Sequence, residues 1–157
     1  MQNITPFLWF EDNAEEAVNF YASVFPDAKI LNVTRNPEGT PGPEGAVLVM
    51  EFELLGMQFL ALNGGPAFKL NEAVSFMIHC DTQQEVDHYW GKLGEAGREM
   101  DCGWLTDRFG LTWQITPKAL LKFLSDPDKE KSGRAMQAMM TMRKFDIAAL
   151  QRAFDGK

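Results

Sequence analysis

The sequence predicts an α+β chain, two βαβββ units followed by a helical tail, from three observations. A strand-like run followed by a helix-spaced run occurs twice in the same frame. Each helix is followed by further strand-like runs. Beyond Pro117 the pattern turns wholly helical. The reading is one domain over 1–157, with a first unit over 1–66, a second over 71–117 and the tail over 118–157.

"ITPFLWF" opens the first unit as a strand, and "DNAEEAVNFYASVF" follows with helical spacing. Asn13 with Glu16 fits a capping box, Ala17, Phe20, Tyr21 and Val24 form the apolar stripe, and Pro26 stops a helix spanning 13–25. Three strands come next, "AKILNVT", "GAVLVMEFELL" and "MQFLALN". The first two are separated by "NPEGTPGPEG", whose Pro and Gly content predicts an exposed, mobile loop.

In the second unit "VSFMIHC" is the strand and "DTQQEVDHYWGKLGEAG" the helix over 82–96. Thr82 and Glu85 again fit a capping box, Val86, Tyr89, Trp90 and Leu93 repeat the stripe, and Gly97 is expected as C-terminal cap. Superposed, Phe7 meets Phe76, Asp12 meets Asp81, and Glu16 meets Glu85. "WLT" and "LTWQIT" supply later strands, with Asp107 and Gly110 where a turn needs them. The tail predicts two or three helices, broken near Asp126-Pro127 and Lys144-Phe145. Its Met136, Met139, Met140 and Met142 suit either core filling or an adaptable surface.

With 22 acidic against 15 basic residues the net charge is −7. The basic residues are scattered, unlike the concentrated basic face that nucleic acid requires. No apolar run reaches the ~18 residues of a membrane span, and the N-terminus lacks a signal-peptide layout. Cys80 and Cys102 form neither a metal pair nor a disulfide framework, so a reduced, cytoplasmic protein is expected.

The stretches "TPFLWFEDNAEEAVNFY", "CGWLTDRFGLTWQITP" and "SDPD" followed by "AMMTMRKFDIAAL" resemble the vicinal oxygen chelate superfamily of glyoxalases, bleomycin-resistance proteins and extradiol dioxygenases. The nearest likeness is to its PhnB-like branch, often labelled 3-demethylubiquinone-9 3-methyltransferase. The resemblance implies paired βαβββ units curved around a concave pocket, and a homodimer. In the superfamily's enzymes it also implies a divalent metal held by the first and last strand of each unit. Those places fall on Thr5 (or Pro6), Leu60, Ser75 and Gln114. Leu60 cannot ligate, Thr5 and Ser75 offer neutral hydroxyls, and Gln114 offers an amide oxygen. Metal sites want imidazole, carboxylate or thiolate, so a metal-free pocket is expected. No cofactor is expected either: "NGGP" is the only glycine pair near a strand end, and no helix pattern follows it.

Strand alternation then makes Thr5, Phe7, Trp9, Gln58, Leu60, Leu62, Ser75, Met77, His79, Thr112, Gln114 and Thr116 the inward residues. Phe7, Trp9 and Trp104 suit stacking on a planar ligand or plain core filling. His79 is the one inward acid–base candidate, while Cys80 faces away from it. The primary expectation is a metal-free protein binding a small organic, possibly aromatic, ligand through Thr5, Phe7, Trp9, Gln58, Leu60, Leu62, Ser75, Met77, Trp104 and Gln114. The alternatives are a PhnB-like enzyme with His79 as base, and a purely structural or regulatory dimer.

Overall fold

A computed structural model describes residues 2–157. The chain divides into two compact units, one ending at Leu70 and the other spanning Asn71–Lys157, so the tail belongs to the second.

The first unit runs β1 (Phe7–Phe10), α1 (Ala14–Val24), β2 (Lys29–Arg35), β3 (Val47–Leu54) and β4 (Met57–Asn63). Its sheet has the order β1-β4-β3-β2, with β1 parallel to β4 and the other pairs antiparallel. Alternation fixes the two faces. Leu8, Phe10, Met50, Phe52, Phe59 and Ala61 are buried on the side of α1, which contributes Ala17, Val18 and Tyr21. Tyr21 stacks on Phe52 at 6.2 Å between centroids, and Phe52 on Phe59 at 5.3 Å. Each such side chain, fully buried, contributes roughly 1.5–3 kcal/mol.

The predicted capping box at Asn13 is not formed. Asn13 occupies the N-cap but makes no side-chain cap hydrogen bond. Instead Asn63 at the end of β4 accepts from the Ala14 N–H at 2.8 Å and donates to the Val47 carbonyl at 3.0 Å. The start of α1 is thus capped from a distant strand.

The second unit runs β5 (Phe76–Cys80), α2 (Gln83–Gly94), β6 (Arg98–Glu99), β7 (Trp104–Thr106), β8 (Thr112–Pro117), then α3 (Lys118–Leu124), α4 (Lys129–Met140) and α5 (Ile147–Asp155). The strand order is β5-β8-β7-β6, again with the first pair parallel. Here the expected capping box is complete: Thr82 Oγ1 accepts from Glu85 N–H, and the Glu85 carboxylate accepts from the Thr82 N–H. Two sequence expectations need correction. The helix ends at Gly94 and Ala96, not Gly97, takes the left-handed conformation (φ 56°). Gly97 is there because a Cβ would collide with the Thr106 carbonyl oxygen. The two-residue strand β6 is too short to leave a period in the sequence.

Asp107 organises the β7–β8 connection. It is only 3 % exposed, and one carboxylate oxygen accepts from Phe109 and Leu111 N–H while the other accepts from the Trp113 indole at 2.9 Å. Donors around both oxygens make burial of the charge tolerable.

The tail helices close on Leu120, Phe145 and Leu150, with Met139 and Met142 packed against them. Met139 and Met142 therefore fill a core, whereas Met136 and Met140 are exposed. The tail is joined to the sheet by backbone bonds from Cys102 N–H to Met142 and from Gly103 N–H to Arg143. On α2, Gln83 donates to the Phe145 carbonyl and accepts from Ile147 N–H.

Candidate functional site

In the first unit the face opposite α1 reads as rows across the sheet, since directly paired residues point the same way. One row is Phe7, Leu60, Glu51 and Asn32; the next is Trp9, Leu62, Val49 and Thr34. Gln58, Glu53 and Lys29 form a third, tied by a 3.1 Å ion pair between Lys29 and Glu53. Thr5 precedes β1, half-buried. Phe7 is 55 % exposed, and Trp9, Gln58, Leu60 and Leu62 are half-buried. All the candidate strand residues of this unit thus share the face that the helix leaves uncovered.

Trp9 is firmly held. Its indole N–H donates to the Gly65 carbonyl at 2.9 Å, and Phe68 meets it edge-on at 5.0 Å. The ring lies where a Cβ on Gly64 would be, and Gly65 has φ 83°. The glycine pair is therefore explained by Trp9 and a turn, and no helix follows it before α2.

In the second unit Gln114 sits mid-sheet between Met77 of β5 and Trp104 of β7. Its amide nitrogen donates to Ser75 Oγ at 2.8 Å. The amide oxygen has no protein partner, yet no buried side-chain polar atom among the described residues lacks one, so this oxygen reaches solvent. Ser75 and Trp104 are half-buried and Met77 is exposed. Thr112 and Thr116 share the strand parity of Gln114 but are buried, and so present no surface there. His79 is exposed and makes no hydrogen bond, ion pair or ring contact. A general base is normally oriented by a third group, which His79 lacks among the described residues. Trp113 belongs to the buried side, bonded to Asp107.

The four positions at which the resemblance implies a metal carry poor donors for a divalent ion. Leu60 has no donor atom, and Gln114 is already paired with the neutral hydroxyl of Ser75. Among the described residues no three His, Cys, Asp or Glu side chains are grouped to hold a metal. Neither cysteine is an evident nucleophile: burial pushes the Cys80 thiol up to about 12, and Cys102 is packed against the tail with Sγ 3.7 Å from the Met139 carbonyl.

Two features escaped the sequence reading. Glu51 is the first; its alternation with Met50 and Phe52 was the available signal. The second is a cavity of about 440 Å³ in the first unit, lined by Glu11, Asp12, Asn36, Val47 and Asn63 among others. It is assembled from three separate stretches of chain and has no linear signature.

The sequence matches the family described as 3-demethylubiquinone-9 3-methyltransferase over residues 2–116, leaving out the tail. Among solved structures, a PhnB protein from Bacillus cereus is similar at 36% identity and TM-score 0.68, over 74% of this chain and 99% of that one. Protein PA1353 from Pseudomonas aeruginosa is similar at 20% identity and TM-score 0.59, over 74% and 98% of the two chains. The fosfomycin resistance protein FosX from Mesorhizobium loti shares the fold at 13% identity and TM-score 0.51, over 72% and 90%. The comparison with curated proteins gave no match. The extent of the family match and the identity to the Bacillus protein agree with the doubled βαβββ plan: this chain belongs to the PhnB-like 3-demethylubiquinone-9 3-methyltransferase family.

Proposed function

We propose that the protein binds a small organic molecule, without metal, against the helix-free faces of its sheets. The observation that carries this reading is the half-committed amide of Gln114. Ser75 holds its nitrogen, while its oxygen is left for a ligand donor on a face shared with Met77 and Trp104. Apolar surface with a few fixed polar atoms is the usual composition of a small-molecule site. Leu60, which offers no donor atom, supports the metal-free part, as does the absence among the described residues of three grouped His, Cys, Asp or Glu side chains. The methyltransferase description draws no support from the glycine pair, which serves Trp9. Catalysis by His79 draws none from its surroundings, where no described residue orients the ring.

The test is a thermal-shift screen of small organic compounds, followed by titration of a hit against Gln114→Leu. The substitution should weaken binding by about 1–3 kcal/mol with little change in Tm. Unchanged affinity together with a large fall in Tm would make Gln114 structural and overturn the proposal.

We also propose a homodimer in the cytoplasm. The edge strand β2 is exposed along its whole length and carries Ile30, Leu31 and Val33. Such an edge is normally covered or paired. Both cysteines are free thiols, as a reducing compartment favours, and no helix is long and apolar enough to cross a membrane. Light scattering should give twice the mass of the 17.7 kDa chain; a monomer at high concentration would refute the dimer.

A further inference from the structure

We infer that the molecule bound on the first unit's open face is a cation with an apolar or aromatic body, and that Glu51 selects it. This rests on the small-molecule reading above and adds the ligand's charge.

Glu51 is half-buried in the middle of the face, with Leu60 and Asn32 directly beside it across the ladder and Phe7 beyond Leu60. Among the described residues its carboxylate makes no hydrogen bond and no ion pair. The cations of the neighbouring strand are committed elsewhere: Lys29 to Glu53 at 3.1 Å, and Arg35 to the Gly45 carbonyl at 3.0 Å. Glu53, one ladder step away, shows what a neutralised carboxylate on this face looks like, and Glu51 lacks the equivalent partner.

Covering an unpaired carboxylate with a neutral molecule strips its water and returns nothing, whereas a cation restores the pairing. The surroundings suit the same class. Phe7 presents an exposed ring in the row of Glu51, and Trp9, its N–H already bonded to Gly65, offers a ring in the next row. Aromatic faces attract cations and stack on flat apolar groups. A negatively charged ligand would meet repulsion from Glu51, while Lys29 and Arg35 of the neighbouring strand are already committed.

The experiment titrates three probes with one fluorophore: dansylcadaverine (cationic), N-acetyl-dansylcadaverine (neutral) and dansylglycine (anionic), each followed by dansyl fluorescence. The cation should bind at least about tenfold more tightly than the neutral probe, and Glu51→Gln should abolish that difference while leaving the neutral probe's affinity unchanged. Glu51→Lys, a second variant that keeps the test valid if the first misfolds, should favour dansylglycine. Equal binding of all three probes overturns the charge selection and leaves the small-molecule reading standing. A cation preference that survives Glu51→Gln but disappears in Glu11→Gln/Asp12→Asn overturns the assignment to Glu51. Failure of every probe to bind up to about 1 mM overturns the assignment of a ligand to this face, while the Gln114 reading stands or falls on its own thermal-shift screen.

Discussion

The hairpin that leads into the last strand occurs once in each unit and is built by different means. In the first, β3 turns into β4 through Leu55 and Gly56 alone, both with positive φ (48° and 82°). That is the geometry of a type I′ turn, and leucine is a poor choice for its first position. In the second, β7 passes to β8 through Asp107–Leu111, and the buried Asp107 carboxylate gathers three donors from the loop and the strand beyond. The helix starts differ in the same way. Thr82 and Glu85 cap α2 from within four consecutive residues, while α1 relies on Asn63 from across the sheet. A repeated sequence plan has preserved the topology and let the stabilising contacts diverge.

The largest difference is the tail, which only the second unit possesses. Phe145 is 2 % exposed and lies over Gly103, where φ is 79° and a Cβ would strike its ring. Phe145→Ala should cost about 3–5 kcal/mol, measured by denaturant unfolding, with hydrogen-exchange protection falling most across 102–117. A loss below about 1 kcal/mol would mean that the second unit does not depend on its tail.

The helix starts offer a middle-sized test. Asn63→Ala should destabilise by roughly 1–2 kcal/mol, because it strands the Ala14 N–H and the Val47 carbonyl. Thr82→Ala should cost about 1 kcal/mol, and Asn13→Ala under about 0.5 kcal/mol. If Asn13→Ala matched Thr82→Ala in thermal melts, the two helices would be capped alike and the contrast would fail.

The smallest effect concerns the tight turn. Leu55 is 55 % exposed, so its backbone strain outweighs what its side chain buries, and Leu55→Asn should raise stability by about 0.5–1 kcal/mol. A fall in Tm would show that the leucine makes a contact outweighing its backbone strain.

Much of the candidate site could be read from alternation alone. Phe7, Trp9, Leu60 and Leu62 do share one face, and Met77 and Gln114 do share another. Alternation gives parity but not accessibility. Thr112 and Thr116 have the right parity and are buried, because what covers a strand residue is set by other segments. Glu51 was passed over for a related reason: a glutamate in an alternating strand looks like ordinary solvent-facing polarity until its neighbours and the commitments of Lys29 and Arg35 are known.

The sequence by itself determined the doubled βαβββ order, the helical stripes, the α2 capping box and the breaks between tail helices at Asp126-Pro127 and Lys144-Phe145. These depend on period, backbone preference and contacts within a few residues, all written locally in the chain. Tertiary structure alone decided that Asn63 caps α1, that Gly64 makes room for Trp9, that Gly97 clears Thr106, and that Glu51 has no partner among the described residues. Each of those depends on which distant atoms arrive at a given point, and a one-dimensional pattern does not encode that distance.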